Sequence, residues 1–337
     1  MASTKSTKLT AAPRGNGIKA RACALFPGAL GDFICAQPAL LRLAQDFQLT
    51  VLARTEYGDL LPSEITIDSI ERPEIARLFV AGGSRDSAVR QFFTRFACVY
   101  SWTGAGQPVF VHELQSVADA RIFPFRPAVW RRHQADYYYL CVDSALSTPT
   151  PLPEIPLRQA AIDWWEDYMQ REALLFKPLL VIAPGSGGLD KNWPVPAFSR
   201  VAEWWQANTN GSVVTLLGPA EEERGGAPDL ASKSLMLRGV TLAQAAVALA
   251  RCDVYVGNDS GISHLAGAVG APTLALFGPS DPLQWAPRGA RVTVLRAGVT
   301  CARSSFEQTK TSQRHRLTAL ESAKVIQKLE ELLRAQS

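Results

Sequence analysis

The stretch that decides the fold is CDVYVGNDSGISHLAGAVGAPTLALFG, residues 252–278. It holds two short apolar runs, one before the polar turn GNDSG and one at the end of the stretch. A short continuous apolar run is typical of a strand buried on both faces of a parallel sheet, and the segment between the runs is long enough for one crossover helix. The stretch therefore predicts a strand, a helix and a second parallel strand, with a polar turn where the first strand ends.

The same alternation continues along the second half of the chain. Further buried strands are predicted at LLVIA, residues 179–183, and at SVVTLLG, residues 212–218. Thr241 and Gln244 form the capping-box pattern that begins one of the intervening helices. Near the start of the chain, ACALF followed by PGALGD and a helical pattern indicates another βαβ beginning. The alternation predicts an α/β protein with parallel sheets covered by helices on both faces.

The length of the chain predicts two domains. A chain of 337 residues is long for one hydrophobic core, because domains usually hold roughly 100 to 200 residues. Apolar periodicity disappears in the proline-rich segment STPTPLPEIPL, residues 147–157, which is typical of a linker. We therefore expect a flexible tail over residues 1–19, an N-terminal domain over 20–155 and a C-terminal domain over 156–337. The last helix is expected to pack on its own domain or back on the N-terminal domain.

The composition is that of an ordinary globular protein, since 47% of the residues are hydrophobic and 20% are charged. The net charge of +4 is spread along the chain without a nucleic-acid-binding motif, so no nucleic acid partner is expected. Six scattered cysteines without a CxxC pair indicate reduced thiols and a cytoplasmic location. We expect no signal peptide and no transmembrane helix.

The turn GNDSG and the helix after it are expected to form an anion site. Backbone N–H groups at a helix start have no partner within the helix, and the start carries a partial positive charge. Ser260 and Gly261 lie at that start, and Gly261 allows a phosphate to approach the backbone closely. His264, one turn further, can add a donor on the same side. The plainer alternative is that Asp259 or Ser260 is only an N-cap and that His264 is a surface residue.

Three further loops at predicted strand ends carry residues suited to phosphate or sugar: PGSGGLDKNWP, GPAEEER and FGPSDPLQWAP. In the first, small residues such as Ser186 allow N–H groups to be exposed, and Lys191 supplies a mobile charge suited to a diphosphate. In the second, a carboxylate can accept hydrogen bonds from ribose hydroxyls, and we favour Glu222 for this. The alternatives are a glycine-rich turn with a solvated lysine, and glutamates that merely favour a helix start.

In PGALGD, Asp32 lies at a predicted strand-to-helix turn. A carboxylate that faces the diphosphate site can act as a general base on an acceptor hydroxyl, while the alternative role is an N-cap. No Ser/His/Asp spacing and no metal-ligand cluster competes with this interpretation, because the four histidines are far apart in the sequence. Asp32 is therefore a candidate for either role at this point, and no bound metal and no cofactor are expected.

Several of these pieces, in their order and spacing, resemble glycosyltransferase family 9, the ADP-heptose:lipopolysaccharide heptosyltransferases and their relatives. The pieces are GALGDFICAQPAL, PGSGGLDKNWPVPAF, LLGPAEEE and VGNDSGISHLAGAVGAPTLALFGPSDPLQWAP. The resemblance is close over most of residues 178–290 and thin between about 60 and 150. It implies a GT-B architecture, in which two Rossmann-like domains face each other across a cleft.

The resemblance also implies roles for the candidate residues. Asp32 would deprotonate the acceptor hydroxyl, while Lys191, the Ser260–Gly261 turn and His264 would hold the donor diphosphate. Asp259 would organise the loop or touch the sugar. The implied donor-binding set is Ser186, Lys191, Glu222, Asp259, Ser260, Gly261 and His264, with Glu222 on the ribose. The implied reaction is an inverting transfer of a sugar, heptose on ADP in this family, to a lipopolysaccharide-core-like or other glycan acceptor.

Some parts of the sequence depart from the family pattern or leave alternatives open. Only Cys301 follows the FGPSDP region, where family members often carry a cysteine cluster, and the aromatic and arginine-bearing segment 121–139 matches no family motif. A nucleotide-sugar epimerase of the same architecture and a non-catalytic nucleotide-sugar-binding relative are the alternative functions. A glycan or glycolipid acceptor leaves room for peripheral contact with the inner membrane surface.

Overall fold

The computed structural model describes residues 19–144, 150–172, 178–298 and 317–334. All but the last residue of the predicted tail lies outside the described residues, as do Cys301 and His315. The chain forms two compact units that interleave along the sequence. Of the described residues, the first unit holds those up to 27, 40–54 and 63–125, and the second holds 28–39, 55–62 and those from 126 onward. The sequence predicts a single domain boundary after residue 155, whereas these two units interleave along the chain. The domain boundary stays a prediction.

The first unit is built on a five-stranded parallel sheet. Its strands are β1 (Arg21–Leu25), β2 (Gln48–Ala53), β3 (Thr66–Ser69), β4 (Cys98–Ser101) and β5 (Ala120–Ile122), in the spatial order β3-β2-β1-β4-β5. The helices along this part of the chain are α1 (Leu30–Asp46), α2 (Pro73–Arg77), α3 (Ser87–Phe93) and α4 (Pro108–Gln115). The strand order reverses between β1 and β4, which is the arrangement of a doubly wound fold.

Helix α1 begins earlier than its sequence pattern predicts. The apolar pattern indicates a start near Phe33, whereas the helix starts at Leu30 and the N–H of Phe33 donates to the carbonyl of Ala29 at 2.9 Å. Asp32 therefore lies inside the first helical turn, not in the preceding loop and not at the N-cap. A carboxylate in this position is favoured by the positive end of the helix dipole. Residues up to Ala39 of this helix belong to the second unit.

The second unit contains a six-stranded parallel sheet. Its strands are β6 (Leu179–Ala183), β7 (Ser212–Leu216), β8 (Leu235–Leu237), β9 (Val254–Asn258), β10 (Thr273–Phe277) and β11 (Val292–Arg296), in the order β11-β10-β9-β6-β7-β8. Counted from β6 as the first strand, this is the Rossmann order, with its topological switch point between β6 and β9. The four strands predicted in this half are β6, β7, β9 and β10, and all are confirmed.

Helices along this part of the chain are α5 (Gln134–Val142), α6 (Gln159–Arg171), α7 (Val195–Thr209), α8 (Pro219–Glu223), α9 (Pro228–Ala231), α10 (Leu242–Ala250), α11 (Gly261–Ala268), α12 (Pro282–Trp285) and α13 (Ser322–Arg334). The predicted capping box opens α10, since Thr241 and Gln244 exchange side-chain and backbone hydrogen bonds of 2.8 and 3.2 Å. The buried face of α13, Val325 and Leu329, lies in the core of the second unit and packs with α7. Packing on the N-terminal domain was the other expectation for this helix.

Two parallel-sheet α/β units confirm the predicted α/β fold class. Among the described residues, no helix combines the length and the hydropathy that crossing a membrane requires. The described cysteines, Cys23, Cys35, Cys98, Cys141 and Cys252, form no disulfide, and Cys141 is the member of this set that is not buried.

Candidate functional site

The loop after β6 is fastened to the end of β9. Asn258, the last residue of β9, is fully buried, and its amide Nδ2 donates to the carbonyl of Pro184 at 2.6 Å. Its Oδ1 accepts the backbone N–H of Trp193 at 3.0 Å. One side-chain amide thus holds both ends of the loop PGSGGLDKNWP at the topological switch point of the sheet, where ligands of such folds bind. The sequence shows Asn258 only as part of GNDSG and contains no separate signal for this role.

A cavity of about 460 Å³ opens beside this loop. Six of the eight predicted site residues line it: Asp32, Lys191, Asp259, Ser260, Gly261 and His264. All six belong to the second unit. Arg126, Ser280, Asp281 and Trp285 also line the cavity, together with small residues of the loops. The cavity therefore combines residues that lie far apart in the sequence, and it includes the predicted base together with the predicted diphosphate ligands.

Lys191 and Asp259 form an ion pair inside the cavity. The ammonium Nζ lies 2.7 Å from Oδ2 of Asp259, whose side chain is 7% exposed, while that of Lys191 is 36% exposed. A carboxylate so far removed from water requires a cationic partner, because burial of a lone charge is costly. Lys191 is this partner and still presents part of its side chain to the cavity. The predicted lysine is therefore positioned at the site by a buried carboxylate.

The first turns of α1 and α11 meet at the cavity. A Cβ placed on Gly261 would lie 2.7 Å from the Cβ of Leu30, and a Cβ on Gly31 would lie 3.0 Å from Cδ2 of His264. Glycine at both positions permits this close approach. Because the start of each helix carries unpaired N–H groups and partial positive charge, the two turns provide an environment suited to an anion.

Ser260 is the N-cap of α11. Its φ and ψ are −149° and 164°, and its Oγ accepts the N–H of Ser263 at 3.4 Å. The capping alternative considered for Ser260 therefore describes its hydrogen bonding, although the residue also lines the cavity. Asp259 does not act as the cap, since its carboxylate pairs with Lys191.

His264 is a buried residue, 4% exposed, so the alternative of a surface histidine was wrong. Its Nδ1 lies 3.6 Å from Sγ of Cys35. Burial lowers the pKa of His264 to about 4, with the charges of His133 and Lys191 acting in the same direction and Asp259 acting against it. The imidazole is therefore neutral near pH 7, and it can donate one hydrogen bond to an anion but adds no positive charge.

Asp32 is held by an arginine for which the sequence predicted no role. Nη2 of Arg126 donates to both carboxylate oxygens of Asp32, each at 3.0 Å. The Asp32 side chain is 7% exposed and that of Arg126 is 56% exposed. The guanidinium also lies over the ring of Trp285, with Cζ 4.7 Å from the ring centroid. The only signal in the sequence was the run of aromatic residues and arginines in segment 121–139.

Two predicted site residues do not line the cavity. Ser186 holds the loop in shape, because its hydroxyl lies 2.6 Å from Oδ1 of Asn192 and 2.7 Å from the carbonyl of Gly188. Glu222 accepts the N–H of Gly239 at 3.2 Å. The neighbouring Glu221 lies against Gly185 and accepts the N–H of Gly218 at 3.1 Å. Contacts of Ser186 and Glu222 with a donor stay predictions.

Within the described ranges, no three His, Cys, Asp or Glu side chains come together as a possible metal site. Four ionisable groups that line the cavity are instead joined in two pairs, Asp32 with Arg126 and Asp259 with Lys191.

Comparison with known proteins places these features in a family. The family model described as "Glycosyltransferase family 9 (heptosyltransferase)" matches residues 69–315. Lipooligosaccharide heptosyltransferase 2 of Haemophilus influenzae is 28% identical over 238 residues, which cover 67% of this chain and 66% of that protein. Lipopolysaccharide heptosyltransferase 2 of Escherichia coli is 27% identical over 239 residues, covering 68% of this chain and 67% of that protein. The matched regions thus span about two thirds of each relative.

Solved structures with the same fold cover nearly the whole chain. A family 9 glycosyl transferase from Veillonella parvula superposes with a TM-score of 0.73 at 19% identity, covering 94% of this chain and 98% of that one. ADP-heptose lipopolysaccharide heptosyltransferase II of Escherichia coli gives a TM-score of 0.69 at 20% identity, covering 94% and 100%. At these identities the similarity shows the fold, and it agrees with the predicted GT-B class.

Proposed function

Because this chain belongs to glycosyltransferase family 9, we propose that it transfers heptose from ADP-heptose to a hydroxyl of a lipopolysaccharide-core-like or other glycan acceptor. The observation that carries the proposal is that Asp32 and Lys191 line one cavity. Asp32 lies outside the residues matched by the family model, so its role rests on this geometry. A heptosyltransferase of the same fold, WaaC of Escherichia coli, has been solved with ADP and with ADP-2-deoxy-2-fluoro heptose, which supports ADP as the nucleotide.

The donor diphosphate would lie against α11 and Lys191. Free N–H groups in the first turn of α11 can donate to phosphate oxygens, and Gly261 leaves the backbone accessible. Lys191 adds a charge-assisted hydrogen bond, and the neutral His264 adds an uncharged one. These groups are fixed before the reaction starts, so they can stabilise the charge that develops on the leaving diphosphate. Ser186 would act by holding this loop, and Glu222 is proposed for the ribose.

The acceptor hydroxyl would lie beside Asp32. The carboxylate takes the hydroxyl proton as the oxygen attacks the anomeric carbon, and the bond from that carbon to the diphosphate oxygen breaks. ADP leaves with the electron pair of that bond from the opposite face of the sugar. A single displacement inverts the anomeric centre and needs no covalent intermediate on the enzyme.

Nucleotide binding tests the donor half of this proposal. We expect calorimetry to show tighter binding of ADP than of UDP or GDP. Lys191→Ala should weaken ADP binding roughly 10-fold or more, since a hydrogen bond to a charged group contributes about 1.5–3 kcal/mol. Lys233→Ala is the matched control, because Lys233 pairs with Glu203 and does not line the cavity.

The outcomes separate the parts of the donor assignment. A preference for UDP or GDP would retain the fold and discard ADP-heptose as the donor. Equal ADP affinity in Lys191→Ala and Lys233→Ala would remove Lys191 from the diphosphate site. Conversion of a nucleotide sugar to its epimer without any acceptor would favour the epimerase alternative.

We also propose peripheral contact with the inner membrane surface. Val129 is 88% exposed and Leu283 is 67% exposed, and the segments that carry them are joined by a hydrogen bond from Gln284 to the carbonyl of Trp130. The exposed Arg131 and Arg132 follow directly, and such a combination suits an anionic membrane surface. Cosedimentation with vesicles rich in anionic phospholipid should exceed that with zwitterionic vesicles, and Val129→Asp should reduce it. Equal sedimentation of the variant and the natural protein would contradict this contact.

A further inference from the structure

The segment that follows β5 is joined to the segment around α12 by several polar contacts. Gln284 Nε2 donates to the carbonyl of Trp130 at 2.6 Å, and His133 Nε2 lies 2.8 Å from the carbonyl of Ala286. Arg288 forms an ion pair with Asp136 at 2.7 Å. We refer to residues 126–136 as the arginine segment. These contacts fix the arginine segment along residues 284–288, within the second unit.

His133 is neutral near pH 7 and keeps its hydrogen bond to the carbonyl of Ala286. Its Nδ1 accepts the N–H of Ala135 at 3.2 Å, so Nε2 carries the proton that it donates to Ala286. Burial, followed by the charge of Arg288, lowers the pKa of His133 to about 4, while the hydrogen bond to Ala286 and the charge of Asp136 act in the opposite direction. The neutral tautomer is therefore present near pH 7, and the contact does not depend on pH in that range.

With the arginine segment attached in this way, Arg126 contacts both Trp285 and Asp32. Cζ of the guanidinium lies over the indole ring of Trp285, 4.7 Å from its centroid, and Nη2 donates to both oxygens of Asp32. A cation over an indole ring is attracted by the ring electrons, and a guanidinium suits such a contact because it is planar. The ring of Trp285 thus restricts the guanidinium, and the guanidinium restricts the carboxylate.

Trp285 is itself held at this place by α12. The backbone N–H of Trp285 donates to the backbone carbonyl of Asp281 at 3.0 Å. The Asp281 side chain accepts the backbone N–H of Leu283 at 3.1 Å at the start of the helix. The backbone of Trp285 also forms a hydrogen bond with His264. The backbone of Trp285 therefore has a defined position relative to His264 of α11, and the indole extends from that position.

We propose that Arg126 and Trp285 are positioning residues for Asp32. Trp285 fixes the guanidinium of Arg126, and the guanidinium orients the Asp32 carboxylate toward the acceptor hydroxyl. This inference rests on the proposed function, because it takes Asp32 as the general base. It also assigns a role to part of segment 121–139, for which the sequence offered no family motif.

A double-mutant cycle tests the proposal. The substrates are ADP-heptose and lipopolysaccharides truncated at successive core positions, and the variants are Arg126→Gln, Trp285→Leu and the double variant. We expect Arg126→Gln to lower kcat about 10- to 100-fold, because a small misplacement of a reacting group has effects of this size. KM for ADP-heptose should change little, since neither residue is assigned to the diphosphate.

The cycle and the conservative variants separate positioning from a general effect on folding. Trp285→Leu should lower kcat by a smaller factor, and it should have no further effect when added to Arg126→Gln, because Trp285 acts through Arg126. Trp285→Phe, which keeps an aromatic face, and Arg126→Lys, which keeps a donor, should restore part of kcat. Arg251→Gln, an exposed arginine of the same unit that does not line the cavity, is the matched control.

Each outcome bears on one of the two proposals. A kcat of Arg126→Gln equal to that of Arg251→Gln, or losses that multiply in the double variant, would overturn the positioning role while leaving the proposed function intact. Full kcat in Asp32→Asn would instead overturn the general base. A crystal structure of Trp285→Leu adds a readout that needs no turnover: we expect Nη2 of Arg126 to leave the Asp32 oxygens, and unchanged 3.0 Å distances would refute the role of Trp285.

Discussion

At the residue scale, the proposed anion site does not depend on an excess of cationic side chains, as the ion pair of Asp259 and Lys191 illustrates. The carboxylate is buried and its partner is only partly exposed, so the pair is close to neutral as a unit. His264, 4% exposed and with its pKa lowered by burial, adds no charge near neutral pH. Arg126 is likewise paired, with Asp32, so the positive potential at the proposed anion site would come from the starts of α1 and α11.

Gly261 is the residue whose side-chain volume matters most for this arrangement. In Gly261→Ala the added Cβ would meet Leu30 at 2.7 Å, so α1 and α11 would have to separate. We expect urea denaturation to show a loss of about 1–3 kcal/mol in the free energy of unfolding, the range of overpacked sites. Gly187→Ala is the control, because it also lines the cavity and its added Cβ would meet no atom within 4 Å. Equal stability of the two variants would contradict the close approach of the two helices.

The residues of the site differed in how well the sequence could predict them. Gly261 and Ser260 stand beside an apolar strand, so their position at a strand-to-helix turn followed from the local pattern. The burial of His264 did not follow, because it depends on the first turn of α1, more than two hundred residues away in the sequence. The run of aromatic residues and arginines in segment 121–139 did not single out Arg126, since its partners Asp32 and Trp285 are both distant along the chain.

At the scale of elements, short apolar runs predicted β6, β7, β9 and β10, whose residues are almost all buried. The runs did not predict β8 and β11, whose residues are mostly half-buried. The starts of some helices were less predictable. Helix α1 has Ala29 before its first residue, and alanine has no side chain that can cap a helix, so the sequence offered no start signal at Leu30. In contrast, α10 begins with the Thr241 and Gln244 capping box, and its start was predicted correctly.

The attachment of the arginine segment to residues 284–288 also belongs to the scale of elements. Its contacts join residues about 150 positions apart, such as His133 with Ala286 and Gln284 with Trp130. Local propensity and periodicity carry no information about such pairs. A segment that matched no motif therefore turned out to supply the arginine that holds Asp32.

At the scale of the whole molecule, the alternation of strands and helices was enough to predict two parallel sheets. Both sheets reverse their strand order at a switch point, and the shared geometry of such folds explains why the polar turns collect at strand ends. The resemblance to glycosyltransferase family 9 is confirmed by the match over residues 69–315. The interleaving of the two units was not predicted, because residues 28–39 and 55–62 join the second unit through contacts that no local pattern reveals.

The proposed reaction depends on one cavity that holds both the general base and the donor diphosphate. Its most direct test is the transfer of heptose from ADP-heptose to truncated lipopolysaccharides by the natural protein and by Asp32→Asn, with ADP affinity measured on the same samples. Asparagine keeps the shape of the side chain and removes its capacity to take a proton.

We expect the natural protein to form the glycoside with inverted anomeric configuration. Asp32→Asn should lose about 100-fold or more of kcat, the contribution typical of general base catalysis, while its ADP affinity stays nearly unchanged. Transfer at the natural rate by Asp32→Asn would contradict the assignment of the base. A large loss of ADP binding in that variant would instead place Asp32 on the donor side of the cavity and contradict its position beside the acceptor.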